Sequence, residues 1–329
     1  MPPRSSEPRG AARARPPRPR PRPERFSLVV LSRNRKLYST RRLVEAAKAR
    51  DLEVRVLDTL RCNLVLAREA PQVYYRGRPV TGVDVVIPRI GASITNYGLS
   101  VVNQFELMGV RALNSAVPIA RSRDKLRALQ LLARFGVDIP RTVMCRYREE
   151  VPLAVEQVGG LPCIMKLIQG TQGVGVLLAN TMSEVEGMLD TLWTLGQEIL
   201  LQQLIAESRG RDVRALVVGD RVVAAMRRTA REGEFRSNIH RGGEGQALEL
   251  PREYAEAAVK AVRVIGLEVA GVDMLESRGG PKIMEVNSSP GLEALERVSG
   301  LDVAGPYVEH AIEVARARSR VARDPHSLG

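Results

Sequence analysis

The residues best suited to chemistry are Asp273 and the triplet Glu285-Val286-Asn287. Side chains two apart on a strand leave the same face, so Glu285 and Asn287 share a side. Asp273, on the preceding apolar run, joins them if the two strands pair as a hairpin. Three oxygen donors without His or Cys suit Mg²⁺, which is ordinarily held by one or two carboxylates together with substrate phosphates. Taken alone, the spacing fits an ordinary polar sheet face slightly better. The sequel, Asn287-Ser-Ser-Pro-Gly291, shifts the balance. It ends an apolar strand abruptly with small polar groups, and Gly291 allows backbone to approach a substrate.

A second group could hold phosphate. Gly170-Thr171-Gln172-Gly173-Val174-Gly175 places three glycines in six residues between two apolar runs, so its N–H groups can fold over phosphate oxygens. It lacks the Lys-Ser/Thr ending of a P-loop, and a plain hairpin turn explains the pattern as well. Lys166 adds weight, because it interrupts the apolar run Cys163-Ile-Met-Lys-Leu-Ile168 and a buried ammonium needs a partner such as phosphate. A sheet-edge lysine reaching solvent is the alternative. Lys125, after Asp124, could bring a second ammonium, although a solvated helix face explains it by itself. Gln203 and Leu204 lie in Gln202-Gln-Leu-Ile205, a strand whose backbone could meet an adenine edge, and Asp212 could accept from ribose or from phosphate-bound groups. Arg236, Ser237 and Asn238 sit in a glycine-punctuated stretch from Glu232 to Gly245 with Arg228, Arg231, His240 and Arg241 nearby. Arginine there suits carboxylates and a developing phosphoryl charge, against the alternative of a mobile basic loop. No Ser–His or Cys–His pairing suggests a covalent intermediate.

The chain that must position these residues has 329 amino acids, 44% hydrophobic and 26% charged, which suits several lobes with ordinary cores. No apolar run reaches the roughly 18 residues of a membrane span, and no secretory signal is visible, so a cytoplasmic protein is expected. Cys62, Cys145 and Cys163 show neither metal-ligand spacing nor a disulfide framework. The net charge of +13 is uneven: residues 1–25 carry eight Arg against two Glu, leaving +7 for the rest. That Arg/Pro-rich segment buries too little to order itself and reads as a disordered tail, with an RNA or ribosome tether as the other reading.

After it, Phe26–Leu31, a helix over Ser39–Arg50 and Leu52–Leu57 form a βαβ opening, which favours a parallel sheet. The first loop has no glycine, which excludes a dinucleotide-binding turn. Residues 26–118 are expected to form this α/β domain. An amphipathic helix over Pro118–Phe135 then opens an α+β small lobe at 119–200, whose helix toward Trp193 starts at a capping box, Ser183-Glu-Val-Glu186. Residues 201–315 form a strand-rich lobe with one helix over Arg252–Ile265, and 316–329 a C-terminal tail.

Together these residues resemble the ATP-grasp superfamily and, within it, the RimK family of glutamate ligases. The likeness runs through Leu31-Ser-Arg-Asn, Ile87-Pro-Arg-Ile-Gly91, Ala120-Arg-Ser-Arg-Asp-Lys-Leu126, Lys166 with Gly170-Thr-Gln-Gly173, Phe235-Arg-Ser-Asn238, Gly271-Val-Asp273 and Met284-Glu-Val-Asn287. The resemblance implies a parallel-sheet domain followed by a two-lobed ATP-grasp fold. It implies that Lys125, Lys166, the glycine loop, Gln203-Leu204 and Asp212 bind ATP, that Arg236 to Asn238 contact nucleotide or intermediate, and that Lys166 and Arg236 serve catalysis. It implies that Asp273, Glu285 and Asn287 hold metal, two Mg²⁺ ions or Mn²⁺ in their place. Gln203-Leu204 departs from the Glu-Tyr pair common in the family, so any adenine contact needing a carboxylate is lost here, and the Arg/Pro tail inherits nothing.

The implied reaction is phosphorylation of a carboxylate by ATP, then attack by an amine to form an amide, with positioning and charge stabilisation supplying the catalysis. L-glutamate is the implied amine donor and the C-terminus of small-subunit ribosomal protein six the implied acceptor, and a homo-oligomer is allowed. Two rivals stand beside this: a ligase for a small coenzyme or amino-acid intermediate, and a non-catalytic nucleotide-dependent protein bound to ribosomes or RNA.

Overall fold

The computed structural model describes residues 26–68, 70–168, 175–231 and 243–323. In the first domain, β1 (Ser27–Leu31), α1 (Tyr38–Lys48), β2 (Glu53–Leu57), β3 (Cys62–Val65), β4 (Gln72–Tyr75), β5 (Arg78–Pro79), β6 (Val85–Pro88), α2 (Thr95–Leu107) and β7 (Arg111–Ala112) follow in order. The parallel sheet runs β2-β1-β6-β7, with each crossover burying apolar side chains on one of its faces. A small antiparallel sheet, β3-β4-β5, is an addition that the sequence reading had not foreseen. Its strands are short, with no long alternating run to reveal them.

The expected single helix over Pro118–Phe135 is instead two, α3 (Ala116–Arg123) and α4 (Lys125–Arg134). Asp124 breaks it by taking an extended backbone, from which its carboxylate accepts from the Arg127 N–H at 3.0 Å as the cap of α4. Such a cap stabilises a helix by about 1 kcal/mol. Next come β8 (Thr142–Val143), α5 (Val151–Gln157), β9 (Cys163–Leu167), β10 (Val176–Ala179), α6 (Met182–Thr194) and β11 (Ile199–Gln203), in a sheet ordered β10-β9-β11-β8. The capping box of α6 lies two residues before the expected one: Thr181 accepts from Glu184 N, and Glu184 accepts from Asn180 N. A buried cluster of Val151, Met165, Val185 and Leu189 serves this lobe alone.

The third unit contains β12 (Arg211–Val218), β13 (Arg221–Thr229), β14 (Glu244–Ala247), α7 (Arg252–Ile265), β15 (Val269–Ser277), β16 (Gly280–Asn287), α8 (Glu293–Ser299) and α9 (Ala304–Arg323). Its antiparallel sheet runs β14-β13-β12-β15-β16. The tail expected from 316 begins inside α9, whose inner face packs Tyr307, Val308 and Ala311 against α1 and the first sheet. Buried Glu296 fastens the same junction, accepting from Tyr38 Oη and Arg42 Nε at 2.8 Å each. Among the described residues no helix is long and apolar enough to cross a membrane.

One strand explains how this lobe makes a site. Val213, Ala215 and Val217 of β12 face α7, whereas Asp212, Arg214, Leu216 and Val218 share the opposite face. Leu216 and Val218 are buried beneath α9, each worth roughly 1.5–3 kcal/mol of burial. Asp212 and Arg214 lie beyond the end of that packing, and a single face passes from apolar core to a buried charged network within two residues.

Candidate functional site

Asp273 pairs with Glu285 and Gly271 with Asn287 across β15 and β16, so the three expected metal-binding side chains share one face. A register shift at Asp273/Met274 makes this possible. Ile283 packs under α7, and regular alternation would send Glu285 the same way. The bulge at Met284 inverts the strand, turning Glu285 and Asn287 outward. Gly271 is required next to it: a Cβ there would stand 2.9 Å from that of Pro290, crowding the turn that carries Asn287 and its 2.9 Å hydrogen bond from Ser289 N.

The other side of Asp273 carries two arginines, Arg214, which no sequence motif marks, and Arg228, expected only as a neighbour of the Arg236 stretch. Arg214 grips it in bidentate fashion at 2.7 and 2.6 Å. Arg228 holds Asp212 at 2.6 Å through both oxygens and reaches Asp273 at 3.2 Å. Burial alone would raise the Asp273 carboxyl, but the two guanidinium groups outweigh it and hold it well below the usual range. Burial likewise works against the Arg228 cation, which Asp273 and Asp212 more than restore. The sign of this partnership was available in Asp212 and Arg214, charges two apart inside an apolar strand.

From the facing lobe, Cys163 and Met165 of β9 turn into their own core and Lys166 turns the other way, toward this polar face. Burial pushes Lys166 down from 10.5 to about 8, and Lys125 adds to the fall, while Glu285, Asp273 and Asp212 oppose it. Lys125, at the first turn of α4, donates to Leu167 O at 3.1 Å and is also lowered by burial against the pull of Glu285. Two ammonium groups thus converge on the acidic strand pair. Gln203 ends β11 with its N–H donated to Arg141 O at 2.8 Å, and Leu204 follows where the chain crosses between lobes. Gly170, Thr171, Gln172, Gly173, Arg236, Ser237 and Asn238 lie outside the described residues, as does most of the basic stretch around them.

The donor set fits a hard divalent cation. Glu285 is exposed with no hydrogen bond among the described residues, and Asn287 contributes an amide oxygen. Asp273 is held by arginines, yet a carboxylate has about four lone-pair sites and can accept these bonds and ligate as well. No group of three or more His, Cys, Asp or Glu forms a metal cluster among the described residues, so the amide is needed to complete the set. A cavity of about 1030 Å³ beside β13, β14 and α7 has none of these residues in its walls.

Two family models cover nearly all of the described chain. Residues 26–119 match the model of the RimK PreATP-grasp domain, and residues 122–311 that of the RimK-like ATP-grasp domain. A probable alpha-L-glutamate ligase of Ectopseudomonas mendocina (strain ymp) is 50% identical over 298 residues, spanning 90% of this chain and 99% of that one. A second, from Rhodopirellula baltica, is 53% identical over 285 residues, 87% of this chain and 70% of its own length. Among solved structures, the ATP-grasp ligase PsnB complexed with minimal precursor superposes with a TM-score of 0.70 at 23% identity over 88% of this chain and 99% of its own. The RimK domain protein from Sphaerobacter thermophilus gives 0.64 at 21% over 87% and 99%. At those identities the likeness is one of fold.

Proposed function

The chain belongs to the RimK-like ATP-grasp family and is a ligase, and on that premise we propose that it uses ATP and Mg²⁺ to join L-glutamate to the C-terminal carboxylate of small-subunit ribosomal protein six. The observation that carries the reading is the convergence of Lys166, from the small lobe, and Lys125, at the start of α4, on the acidic face of Asp212, Asp273 and Glu285. Lysines supply charge to phosphate oxygens, and the acids with Asn287 supply ligands to the cation that phosphate also binds. Bound there, Mg²⁺ would neutralise charge developing on the transferring phosphoryl group. The protein's own part is to orient the carboxylate and the amine and to exclude water, which is what an acyl phosphate intermediate needs. Glutamate as donor is supported by the relatives named probable alpha-L-glutamate ligases; the ribosomal acceptor rests on the family resemblance.

The test is to supply ATP, Mg²⁺ and labelled glutamate with and without the ribosomal protein. Label entering that protein is the expected result. Phosphate release driven only by a small acceptor would move the assignment to a coenzyme or amino-acid ligase.

Lys166 supplies a second measurement. Because its folded value is about 8, raising the pH through that value discharges the group, and ATP should bind several-fold more weakly at pH 9 than at pH 7. Lys166→Arg should flatten this dependence. For stability the sign is reversed: a base lowered from 10.5 to about 8 makes the fold relatively more stable as pH rises between these values. Lys166→Met should accordingly raise the melting temperature of the nucleotide-free protein at neutral pH while abolishing ATP binding. A drop in melting temperature would show that the lysine is structural.

A further inference from the structure

We infer that Arg89, Arg123 and Ser288 form a subsite for a substrate carboxylate beside the metal-binding strand end, an inference that rests on the ligase reading above. Arg89 follows Pro88 at the carboxyl end of β6, the end of a parallel sheet where ligands of α/β folds sit. Its Nη2 donates to Pro290 O at 2.6 Å, crossing from the first domain to the turn after β16. Its Nη1 is buried and makes no well-formed hydrogen bond among the described residues, although the Tyr307 hydroxyl lies close enough to the guanidinium to act as a weak neutral acceptor. Arg123, last in α3, donates through Nη2 to Ile90 O, and its Nε is likewise buried without an acceptor. Ser288 is 1% exposed, and among the described residues neither its hydroxyl nor that of Ser289 next to it has a partner.

Both arginines are half-buried with one nitrogen shut off from water, and guanidinium groups so placed commonly face carboxylates, because an uncompensated charge away from water is costly. Among the described residues neither arginine makes an ion pair, whereas Arg214, Arg227 and Arg228 all do. Burial pulls both arginines below their usual values. Among the described residues, the Tyr307 phenol opposes it at Arg89 through charge and a hydrogen bond, and Glu285 opposes it at Arg123, with Arg89 adding repulsion. The C-terminus of α3 offsets part of the Arg123 charge, at most about half an electron. Glu285 is also the leading counter-charge of Lys125 and Lys166. Glu285 therefore serves three cations, with Asp273 and Asp212 assisting at Lys166. Bound phosphates would add to the partners the lysines already have. The arginines need a second anion with planar oxygens, which a carboxylate offers to a fork of N–H donors. The hydroxyls of Ser288 and Ser289 can donate to the same oxygens.

In full-length protein, Arg123→Gln should raise KM for the carboxylate-bearing substrate about 10- to 100-fold, the loss expected of a charge-assisted hydrogen bond, with kcat and KM for ATP within about twofold. Ser288→Ala removes a buried hydroxyl with no partner among the described residues, so its melting temperature should hold while KM rises about fivefold. L-glutamate α-amide keeps the amine and side chain but lacks the α-carboxylate. Wild type should strongly prefer glutamate over it, and the variants should lose most of that preference. A rise in KM for the acceptor protein, with the preference intact, would assign the subsite to the acceptor's carboxylate. Folded variants with both KM values and the preference unchanged would overturn the subsite and leave the ligase reading standing. The converse is read without turnover: amino acids should raise the melting temperature of ADP-loaded wild type but not of the variants. That shift with an amino acid other than glutamate, and no glutamate turnover, would sink the glutamate assignment and keep the subsite. Neither shift nor turnover would sink both.

Discussion

Glu285→Ala should abolish ligation and leave the protein folded. Glu285 is exposed and makes no hydrogen bond among the described residues, so its removal opens no cavity and should lower stability only by the part of its attraction to Lys166, Lys125 and Arg123 that solvent leaves unscreened. Its electrostatic role is far larger, since it is a leading counter-charge for Lys166, Lys125 and Arg123 and the most available carboxylate for metal. Losing several kcal/mol of charge stabilisation at the transferring phosphate corresponds to a fall in kcat of about a thousandfold or more. The variant should also discharge Lys166 at lower pH than wild type, because a charge that raises its pKa has gone. Steady-state kinetics with thermal unfolding decides the matter. Near-normal turnover would remove the metal assignment.

Arg228→Met should do the reverse and damage the fold first. Asp212 and Asp273 are 3% and 7% exposed, and Arg228 is bonded to both. Taking one partner from a buried ion network strands the others, at a cost of about 3–5 kcal/mol. Denaturant unfolding at neutral pH should show a loss of that size. Asp273 adds a pH signature. A carboxyl depressed in the fold contributes stability that is fully present above its ordinary value of 3.8 and is lost as pH falls through the folded value. The gap between wild type and variant should therefore narrow as the solution is acidified below 3.8. A gap independent of pH would mean that Arg228 acts by packing alone.

Much of this was readable in advance where side-chain type and local period agree. The βαβ opening, the hairpin of β15 and β16 and the common face of Glu285 and Asn287 all follow from alternation over a few residues. The bulge at Met284 was not readable, because it depends on Ile283 being claimed by the core beneath α7. Lys166 could be singled out as a charge inside an apolar run, although its facing partners come from strands far along the chain. Arg89, Arg123 and Arg214 passed unremarked as functional residues, since arginine is common at surfaces and only burial makes it costly. The split of the helix at Asp124 turned on whether that side chain would cap or continue, a choice of about 1 kcal/mol that neighbours decide. The adenine, glycine-loop and Arg236 assignments remain proposals from the resemblance.

The small lobe buries Val151, Met165, Val185 and Leu189 in a cluster of its own, while the rest of the chain is joined through α9 and Glu296. Stability in this protein is thus divisible and activity is not. A defect such as Leu189→Ala would be absorbed within one lobe, whose sheet carries Lys166, and the face of Asp273, Glu285 and Asn287 opposite would stay assembled. Such a protein would remain partly folded and keep the proposed cation site, yet lose the two-sided grip on ATP that the proposed function requires.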